Sequence, residues 1–185
     1  MAEAAPVVSS STVSRMRKVM EPMPRLKASV VHGFGRGSKM LGFPTANMDV
    51  RWEAAEKLNE QEETILDFAK RCEPGIYYAW AQVADGPDRG VYKAAMSVGW
   101  NPTFTDVKAK TVEPWILHDY AEDFYGSELR LVVCGFVRPE AKFEKFDDLI
   151  VAIREDGEFC REALDESSLA ELAHDAFFVP METKP

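Results

Sequence analysis

The sequence predicts a mainly β domain that folds as an antiparallel sheet or a small barrel. Short apolar runs rich in β-branched and aromatic residues occur throughout the central part of the chain. Between residues 75 and 138 they follow one another without an intervening helix, which is typical of antiparallel β proteins and not of doubly wound α/β folds. A clear helical pattern returns only after residue 145.

The predicted strands are the five apolar runs at 25–33, 75–85, 89–100, 111–118 and 127–138. The segment ADGPDRG, between the second and third runs, has the glycine and proline content of a hairpin loop. Strands joined this closely are expected to pair as neighbours. The sequence therefore predicts one barrel domain, with helices packed against it late in the chain.

Two helical segments and two flanking segments complete the predicted organisation around a domain at 25–165. A polar insertion near 50–72 is rich in good helix formers, with Asp49 as a possible N-cap. Apolar residues recur at helical spacing near 146–164 and predict an amphipathic helix. We interpret residues 1–24 as a flexible tail, and residues 166–185 as a C-terminal helix and tail.

The composition excludes several classes of protein. The formal net charge is −9 and the pI is about 4.9, so the chain lacks the basic field of nucleic-acid-binding proteins. No apolar run approaches the roughly 18 residues of a membrane span. Cys72, Cys134 and Cys160 are too far apart for a zinc knuckle and odd in number, which predicts reduced thiols and a cytoplasmic location. Basic residues near the N-terminus leave organellar targeting open as an alternative.

A glycine-rich loop follows the first predicted strand. Gly33, Gly35 and Gly37 alternate, and such a loop can present backbone N–H groups to phosphate oxygens. Lys39 adds a positive charge nearby. The spacing matches neither a Walker A loop nor the protein-kinase loop. From the glycines alone, a phosphate-binding loop and a hairpin at a barrel rim are both possible.

The continuation of this loop, PTAN, contains two oxygen-bearing side chains. Pro44 favours extended backbone before it, and in an extended run Thr45 and Asn47 point to the same side. A hydroxyl and an amide oxygen suit Mg²⁺, which prefers oxygen ligands. The alternative is a pair of side chains that hydrogen-bond at the end of a strand.

The run GFGRGSKMLGFPTAN at 33–47 resembles the nucleotide-binding segment of riboflavin kinases. The segments GIYYAWAQV, MSVGWNPTF, EPWILH, EDFYGSELRL and GFVRPEAKF follow in the order of that family, so that the likeness covers roughly 25–165. The resemblance implies a six-stranded antiparallel Greek-key β-barrel with a C-terminal helix. It also implies a kinase that transfers the γ-phosphate of ATP to the terminal ribityl hydroxyl of riboflavin, giving FMN and ADP.

Glu113 is the candidate catalytic base. It lies in the otherwise apolar run TVEPWIL, where an unpaired charge is costly, so that it is either salt-bridged or used in chemistry. The catalytic glutamate of riboflavin kinases matches this position. Pro114 and Trp115 depart from the Thr-His that commonly follows in the family. Pro114 lacks an N–H, and this edge of the strand therefore cannot be an ordinary interior one.

The resemblance assigns ligand contacts to further positions. For ATP these are Gly33, Lys39, Ile116, His118 and Tyr125, with Thr45 and Asn47 as metal ligands. For the flavin they are Arg138, Ala141 and Phe143, although the family commonly has lysine where this chain has Ala141. By residue type alone, Ile116 could instead be a core residue, His118 a hydrogen-bonded histidine at a strand end, and Tyr125 an anchor for a loop. A surface cation and a helix staple are the alternatives for Arg138 and Phe143.

The implied cofactor is Mg²⁺, with Zn²⁺ or Mn²⁺ as substitutes, and ATP is the co-substrate. The expected partners are riboflavin and FMN together with ATP and ADP, with no nucleic acid and no membrane, and the expected state is a monomer. Two other classes of function compete with the kinase. One is a non-catalytic flavin- or nucleotide-binding barrel, and the other is a barrel that binds nucleic acid.

Overall fold

The computed structural model describes residues 7–33, 42–50, 65–100 and 110–178. Within these ranges the strands are β1 (Val7–Val8), β2 (Lys18–Val19), β3 (Arg25–Val31), β4 (Asn47–Met48), β5 (Gly75–Val83), β6 (Val91–Trp100), β7 (Lys110–Ile116), β8 (Glu128–Pro139) and β9 (Lys142–Phe143). The helices are α1 (Ile65–Arg71), α2 (Phe146–Ala163) and α3 (Ser167–Ala170), and 3₁₀ turns lie at Ser10–Thr12 and Glu171–His174. None of the helices in these ranges is long and apolar enough to span a bilayer.

Six strands form a sheet that closes almost completely on itself. Their order is β4-β3-β8-β5-β6-β7, and every neighbouring pair is antiparallel. The two ends of the sheet meet where the Ala46 N–H donates to the Pro114 carbonyl at 2.9 Å. β8 follows β7 in the chain but lies beside β5, which is the Greek-key arrangement. The predicted six-stranded antiparallel barrel is confirmed.

Alternation along the strands separates the barrel interior from its outer face. In β7, Val112 and Ile116 point inward and join the main core cluster. Glu113 and Trp115 lie on the opposite face, where each is half-buried. The apolar neighbours of Glu113 in the sequence therefore face the core, whereas the carboxylate faces away from it.

A second apolar layer covers the outside of β5 and β8, which are buried on both faces for this reason. The Trp80 Nε1–H donates to the carbonyl of Leu169 in α3 at 2.8 Å. Helix α2 approaches the sheet closely at Gly157, where a Cβ would lie 2.5 Å from Cζ3 of Trp115. Only glycine permits this contact between α2 and β7.

The segment before β3 packs along the barrel. β1 pairs in parallel with β9, and β2 pairs with β8. β3 pairs with β8 only as far as Val132, so the rest of this edge of β8 would be open without β2. The structure thus differs from the predicted flexible tail over residues 7–24, because these residues satisfy an otherwise unpaired strand edge. Residues 1–6 lie outside the described ranges.

Helix α1 is the described part of the predicted insertion near 50–72, of which residues 51–64 lie outside the described ranges. Its Phe68 is fully buried within the main core cluster, and its ring meets that of Tyr77 edge-on with centroids 5.9 Å apart. The insertion therefore contributes to the core of the barrel. The later helix, predicted near 146–164, is α2 at Phe146–Ala163.

Replacing Phe68 with alanine should lower the free energy of unfolding by about 3–5 kcal/mol, because it removes a buried ring and leaves a cavity. Urea denaturation measures the change. Lys70→Ala is the matched control, since Lys70 is exposed in the same helix and should cost no more than about 0.5 kcal/mol. If Phe68→Ala lowered the free energy of unfolding by as little as the control does, the packing of α1 against the core would be contradicted.

Candidate functional site

Two predicted parts of the site meet where the barrel closes, at the hydrogen bond between Ala46 and Pro114, here called the closure seam. This bond places Thr45 and Asn47 on one side of the seam and Glu113 on the other. All three side chains are half-buried. The structure thus brings together the predicted metal ligands and the predicted base, which are more than 60 residues apart in the sequence.

Gly33 lies directly against Asn47. A Cβ at Gly33 would be 2.3 Å from Nδ2 of Asn47, so only glycine leaves room for the amide. Lys39, the other predicted phosphate contact, lies outside the described residues. The absence of a side chain at Gly33, two residues after β3, therefore lets the backbone approach the Asn47 amide closely.

The oxygen donors at the seam fit a divalent metal that is carried by phosphates. Thr45 and Asn47 offer a hydroxyl and an amide oxygen, which are hard ligands suited to Mg²⁺. The described residues contain no cluster of three or more histidine, cysteine or acidic side chains that could hold a metal alone. A metal at this site would therefore take most of its remaining ligands from phosphate oxygens and water.

The Glu113 carboxylate lies on the outer face of β7, opposite Ser97 of β6. Within the described residues it makes no hydrogen bond or ion pair, which does not support the alternative of a structural salt bridge. The neighbouring Trp115 packs edge-on against Phe43 with ring centroids 5.0 Å apart and also contacts Gly157. Glu113 is therefore held beside an aromatic wall between the sheet and α2.

The segment after β8 reaches the same outer face. A Cβ on Gly99 would lie 2.3 Å from Oε1 of Glu140, so Glu140 rests on the backbone of β6. Gly99 pairs with Thr111, two residues before Glu113. Burial raises the pKa of Glu140, and the positive charge of Arg138 opposes that rise. The RPEAKF segment, predicted to bind the flavin, thus lies next to the strand that carries the predicted base.

Arg138 is buried and is not the surface cation that its residue type allows. Its Nε–H lies 3.0 and 3.1 Å from the two carboxylate oxygens of Asp156 in α2, and its Nη2 lies 2.6 Å from Oδ2. Nη1 donates to the Pro139 carbonyl at 3.0 Å, and the guanidinium lies 6.0 Å from the centre of the Phe143 ring. Ala141 lies between these residues and is half-buried. The three predicted flavin contacts are therefore neighbours in space.

An aromatic cluster lies just beyond the end of β7. The His118 ring stacks on Tyr92 with centroids 3.6 Å apart and an interplanar angle of 5°. Its Nε2 lies 2.8 Å from Oδ2 of Asp88. Tyr120 meets both rings edge-on, and its buried hydroxyl has no hydrogen-bond partner within the described residues. His118 is thus fixed in orientation, with an unsatisfied polar group close by.

The other two predicted adenosine contacts have different environments. Ile116 is 4% exposed and belongs to the barrel core, so its side chain packs inside the barrel. Tyr125 is 50% exposed and stacks on His32 with ring centroids 3.8 Å apart. His32 directly precedes Gly33, so Tyr125 lies near the residue with which the predicted glycine loop begins. The structure therefore brings Tyr125 near Gly33, one of the two predicted phosphate contacts, but leaves the Ile116 side chain in the core.

Two supporting carboxylates were not singled out from the sequence. Asp156 follows Ile153 by three residues and precedes Cys160 by four, so a charge on the apolar face of α2 was visible in the helical pattern. Asp88 gave no such indication, because aspartate is common in hairpin loops. Only the fold brings Asp88 next to His118, 30 residues later.

Asp88 should stabilise the protein in a pH-dependent way. Burial opposes its charge, but hydrogen bonds from Gly90, Tyr92 and His118 outweigh this effect and lower the pKa of Asp88 below its ordinary value of 3.8. Its contribution to stability is therefore present above the unfolded-state pKa and is lost as the pH falls through the lower folded-state pKa.

We expect Asp88→Asn to unfold at lower urea concentration than the wild type near pH 7, with the difference vanishing in the acid range. Asp119→Asn is the control, since Asp119 is exposed in the neighbouring loop. A difference between wild type and Asp88→Asn that stays constant from neutral to strongly acidic pH would contradict the ionised contact.

Comparison with known proteins identifies the family of this chain. A family model described as flavokinase, riboflavin kinase, matches residues 21–164. The chain is 40% identical to a riboflavin kinase of Mus musculus over 152 residues, covering 82% of this chain and 88% of that protein. It is 47% identical to a bifunctional riboflavin kinase/FMN phosphatase of Arabidopsis thaliana over 148 residues, covering 80% of this chain but only 35% of that longer protein.

A solved structure gives the same answer for the fold. The crystal structure of riboflavin kinase from Trypanosoma brucei aligns with a TM-score of 0.60 and 26% identity, covering 92% of this chain and 95% of that one. Riboflavin kinases use ATP and a divalent metal, which suits the oxygen donors at the closure seam. The family match, the identity over most of the chain and the barrel with its seam-borne glutamate all lead to one assignment. This chain belongs to the riboflavin kinase family and is a kinase that phosphorylates riboflavin.

Proposed function

We propose that Glu113 is the general base for transfer of the γ-phosphate of ATP to the 5′-hydroxyl of the ribityl chain. The observation that carries this proposal is the position of Glu113 between two proposed half-sites. The nucleotide half-site contains Thr45 and Asn47, and the flavin half-site is the RPEAKF segment after β8. The closure seam joins the strand that carries Glu113 to the segment with Thr45 and Asn47, and Glu140 brings the segment after β8 to Gly99 of β6, which pairs with Thr111 of the strand that carries Glu113. A donor and an acceptor bound in these half-sites would meet at the carboxylate.

The reaction balances with these groups. Glu113 accepts the proton of the 5′-hydroxyl while the oxygen of that hydroxyl forms a bond to the γ-phosphorus. The bond between that phosphorus and the oxygen bridging to the β-phosphate breaks, so the products are FMN and ADP. Phosphoryl transfer depends mainly on positioning and on neutralising charge, which a half-buried site on rigid strands favours. Glu113 needs no partner in the resting site, because its partner is the substrate hydroxyl.

The phosphates are assigned to the glycine loop and the seam. Gly33 and Lys39 would contact the phosphates, and Thr45 and Asn47 would hold Mg²⁺. When bound, the metal supplies positive charge that neutralises the phosphates. At the adenosine end, the stacked and hydrogen-bonded His118 and the exposed ring of Tyr125 would contact the nucleoside.

The remaining adenosine and flavin assignments follow the local geometry. Ile116 would offer its backbone, because its side chain is in the core. Phe143 would cover the isoalloxazine ring, and Ala141 would contribute a backbone contact. Within the described part of the chain, the hydrogen bonds of Arg138 use its Nε–H and one N–H on each terminal nitrogen, so that one N–H on each terminal nitrogen would be left for the flavin.

The non-catalytic alternative depended on the departure at Pro114 and Trp115, and both residues have a structural explanation. The Pro114 carbonyl accepts the seam hydrogen bond, and Trp115 fills the space between Phe43 and Gly157. Neither residue displaces Glu113 from the outer face of β7. The departure therefore does not argue against catalysis.

Mg²⁺ as the metal, a monomer as the active unit and the cytoplasm as the compartment are parts of the same proposal. The oxygen donors at the seam support Mg²⁺, and three buried cysteines that form no disulfide support a reducing compartment. Burial raises the pKa of Cys134 to about 12, which keeps this thiol unreactive. Metal titration of the activity, sedimentation and imaging of a tagged chain test the three statements in turn.

Glu113→Gln should reduce turnover by about 10²–10⁴-fold, since the amide cannot accept the hydroxyl proton. Riboflavin binding, followed by quenching of flavin fluorescence, should stay within about twofold of the wild type. FMN formation is measured by chromatography with saturating ATP and Mg²⁺. Glu158→Gln makes the same change at an exposed glutamate of α2 and should retain turnover. If Glu113→Gln kept full activity, Glu113 would not be the catalytic base.

Gly33→Ala should raise the Mg²⁺ concentration required for half-maximal activity by about tenfold or more, because the new Cβ displaces the Asn47 amide. The double variant with Asn47→Ala identifies the cause. If Gly33→Ala acts through Asn47, the double variant should need no more Mg²⁺ than Asn47→Ala alone. Additive effects of the two changes would show that Gly33 acts on the phosphates without involving Asn47.

A further inference from the structure

The segment of residues 7–20, here called the N-terminal strap, runs beside the flavin half-site at several points. β1 pairs with β9, which contains Phe143. The Met16 N–H donates to the Val137 carbonyl at 2.8 Å, directly before Arg138. The strap therefore borders the RPEAKF segment at both of its ends.

Arg15 extends from the strap to the carboxylate that holds Arg138. Its Nε lies 2.8 Å from Oδ1 of Asp156, the same oxygen that accepts from the Arg138 Nε at 3.0 Å. The side chains of Arg15, Asp156 and Arg138 are 13%, 4% and 6% exposed. One buried carboxylate is thus shared between two guanidinium groups, one from the strap and one from the flavin half-site.

Further bonds fix the orientation of Arg15. Its Nη2 donates to the Ala152 carbonyl at 3.1 Å, and its Nη1 lies 3.1 Å from a carboxylate oxygen of Glu155. A guanidinium anchored at three points holds Asp156 Oδ1 in one direction, because the planar fork has no freedom to follow a rotating carboxylate. The direction of Asp156 in turn determines where Arg138 lies, since Arg138 grips both carboxylate oxygens.

We propose that Arg15 and Asp156 are positioning residues for Arg138, and that Arg15 thereby couples the N-terminal strap to the flavin half-site. This inference depends on the proposed role of Arg138 in binding the flavin. Without Arg15, Asp156 loses one of its two cationic partners and can turn toward solvent or toward Arg138 alone. Arg138 then moves away from the position in which its two remaining N–H groups face the ligand.

The strap itself offers a matched control. Arg17 is two residues after Arg15 and also forms ion pairs with α2 and the residues after it, namely Glu162 and Glu166. Its side chain is 39% exposed, and none of its described contacts involves Asp156 or the RPEAKF segment. Arg17→Ala therefore removes a comparable link between strap and helix without disturbing the carboxylate that holds Arg138.

The experiment compares Arg15→Ala with Arg17→Ala in the complete chain. For Arg15→Ala, the Kd for riboflavin from fluorescence quenching and the KM for riboflavin should both rise by about tenfold or more, as expected for a misplaced charge-assisted hydrogen bond. The KM for ATP should stay within about twofold, because the nucleotide half-site is on the other side of Glu113. Arg17→Ala should leave all three constants within about twofold of the wild type.

Two further measurements separate positioning from stability. Arg15→Lys keeps the charge but not the three-point fork, so its riboflavin Kd should lie between those of the wild type and Arg15→Ala. Added guanidinium chloride at millimolar concentration should lower the riboflavin Kd of Arg15→Ala toward the wild-type value, whereas sodium chloride at the same ionic strength should not. Thermal unfolding of each variant shows whether it is folded. If Arg15→Ala is unfolded, Arg15→Lys takes its place in the comparison of riboflavin binding.

The outcomes distinguish this inference from the proposed function. If the wild type forms no FMN, the assignment of the reaction is wrong. If the wild type forms FMN but Arg15→Ala or Arg15→Lys binds riboflavin as the wild type does, the positioning role is wrong. A parallel rise in the KM values for riboflavin and ATP, or equal effects of Arg15→Ala and Arg17→Ala, would also overturn it, since either result indicates only a general loss of stability.

Discussion

The backbone hydrogen bond between Ala46 and Pro114 is the contact on which the proposed site depends. In a strand, the N–H and C=O of one residue point to the same side, so the missing N–H of Pro114 also faces the seam. The barrel therefore closes here through the Pro114 carbonyl, without the second bond that a backbone N–H at this position would donate. This thin closure leaves Glu113 and the segment with Asn47 side by side and still open to ligands from outside the barrel.

Glycines allow the two half-sites to approach Glu113. Gly33 leaves room for the Asn47 amide on the nucleotide side, and Gly157 allows α2 to pack on Trp115. Gly99 does the same for Glu140 on the flavin side. At each position a Cβ would come within 2.5 Å of a neighbouring side chain, so close approach of backbone and side chains is what gives the site its shape.

Burial determines how the charged groups pair in the proposed flavin half-site. A buried carboxylate without partners would be costly, and Asp156 avoids this cost by binding two guanidinium groups at once. The same arrangement ties the N-terminal strap, α2 and β8 together. On the nucleotide side, the corresponding support is Asp88, which binds Tyr92 and His118 from a hairpin loop. Each ligand half-site thus has an aspartate that fixes a nitrogen-bearing side chain.

The mainly β barrel and the late amphipathic helix could be predicted from the sequence, because these depend on alternation and periodicity, whereas its local motif made Glu113 only the proposed base. The sequence could not determine the course of residues 7–24, since their pairing with β8 depends on a strand edge more than 100 residues away. The links from Asp156 to Arg15 and from Asp88 to His118 were likewise decided by the tertiary structure alone. Local sequence patterns indicate which face of a helix or strand is buried. Contacts between charged residues that are distant in the sequence depend on the complete fold and cannot be predicted from such patterns.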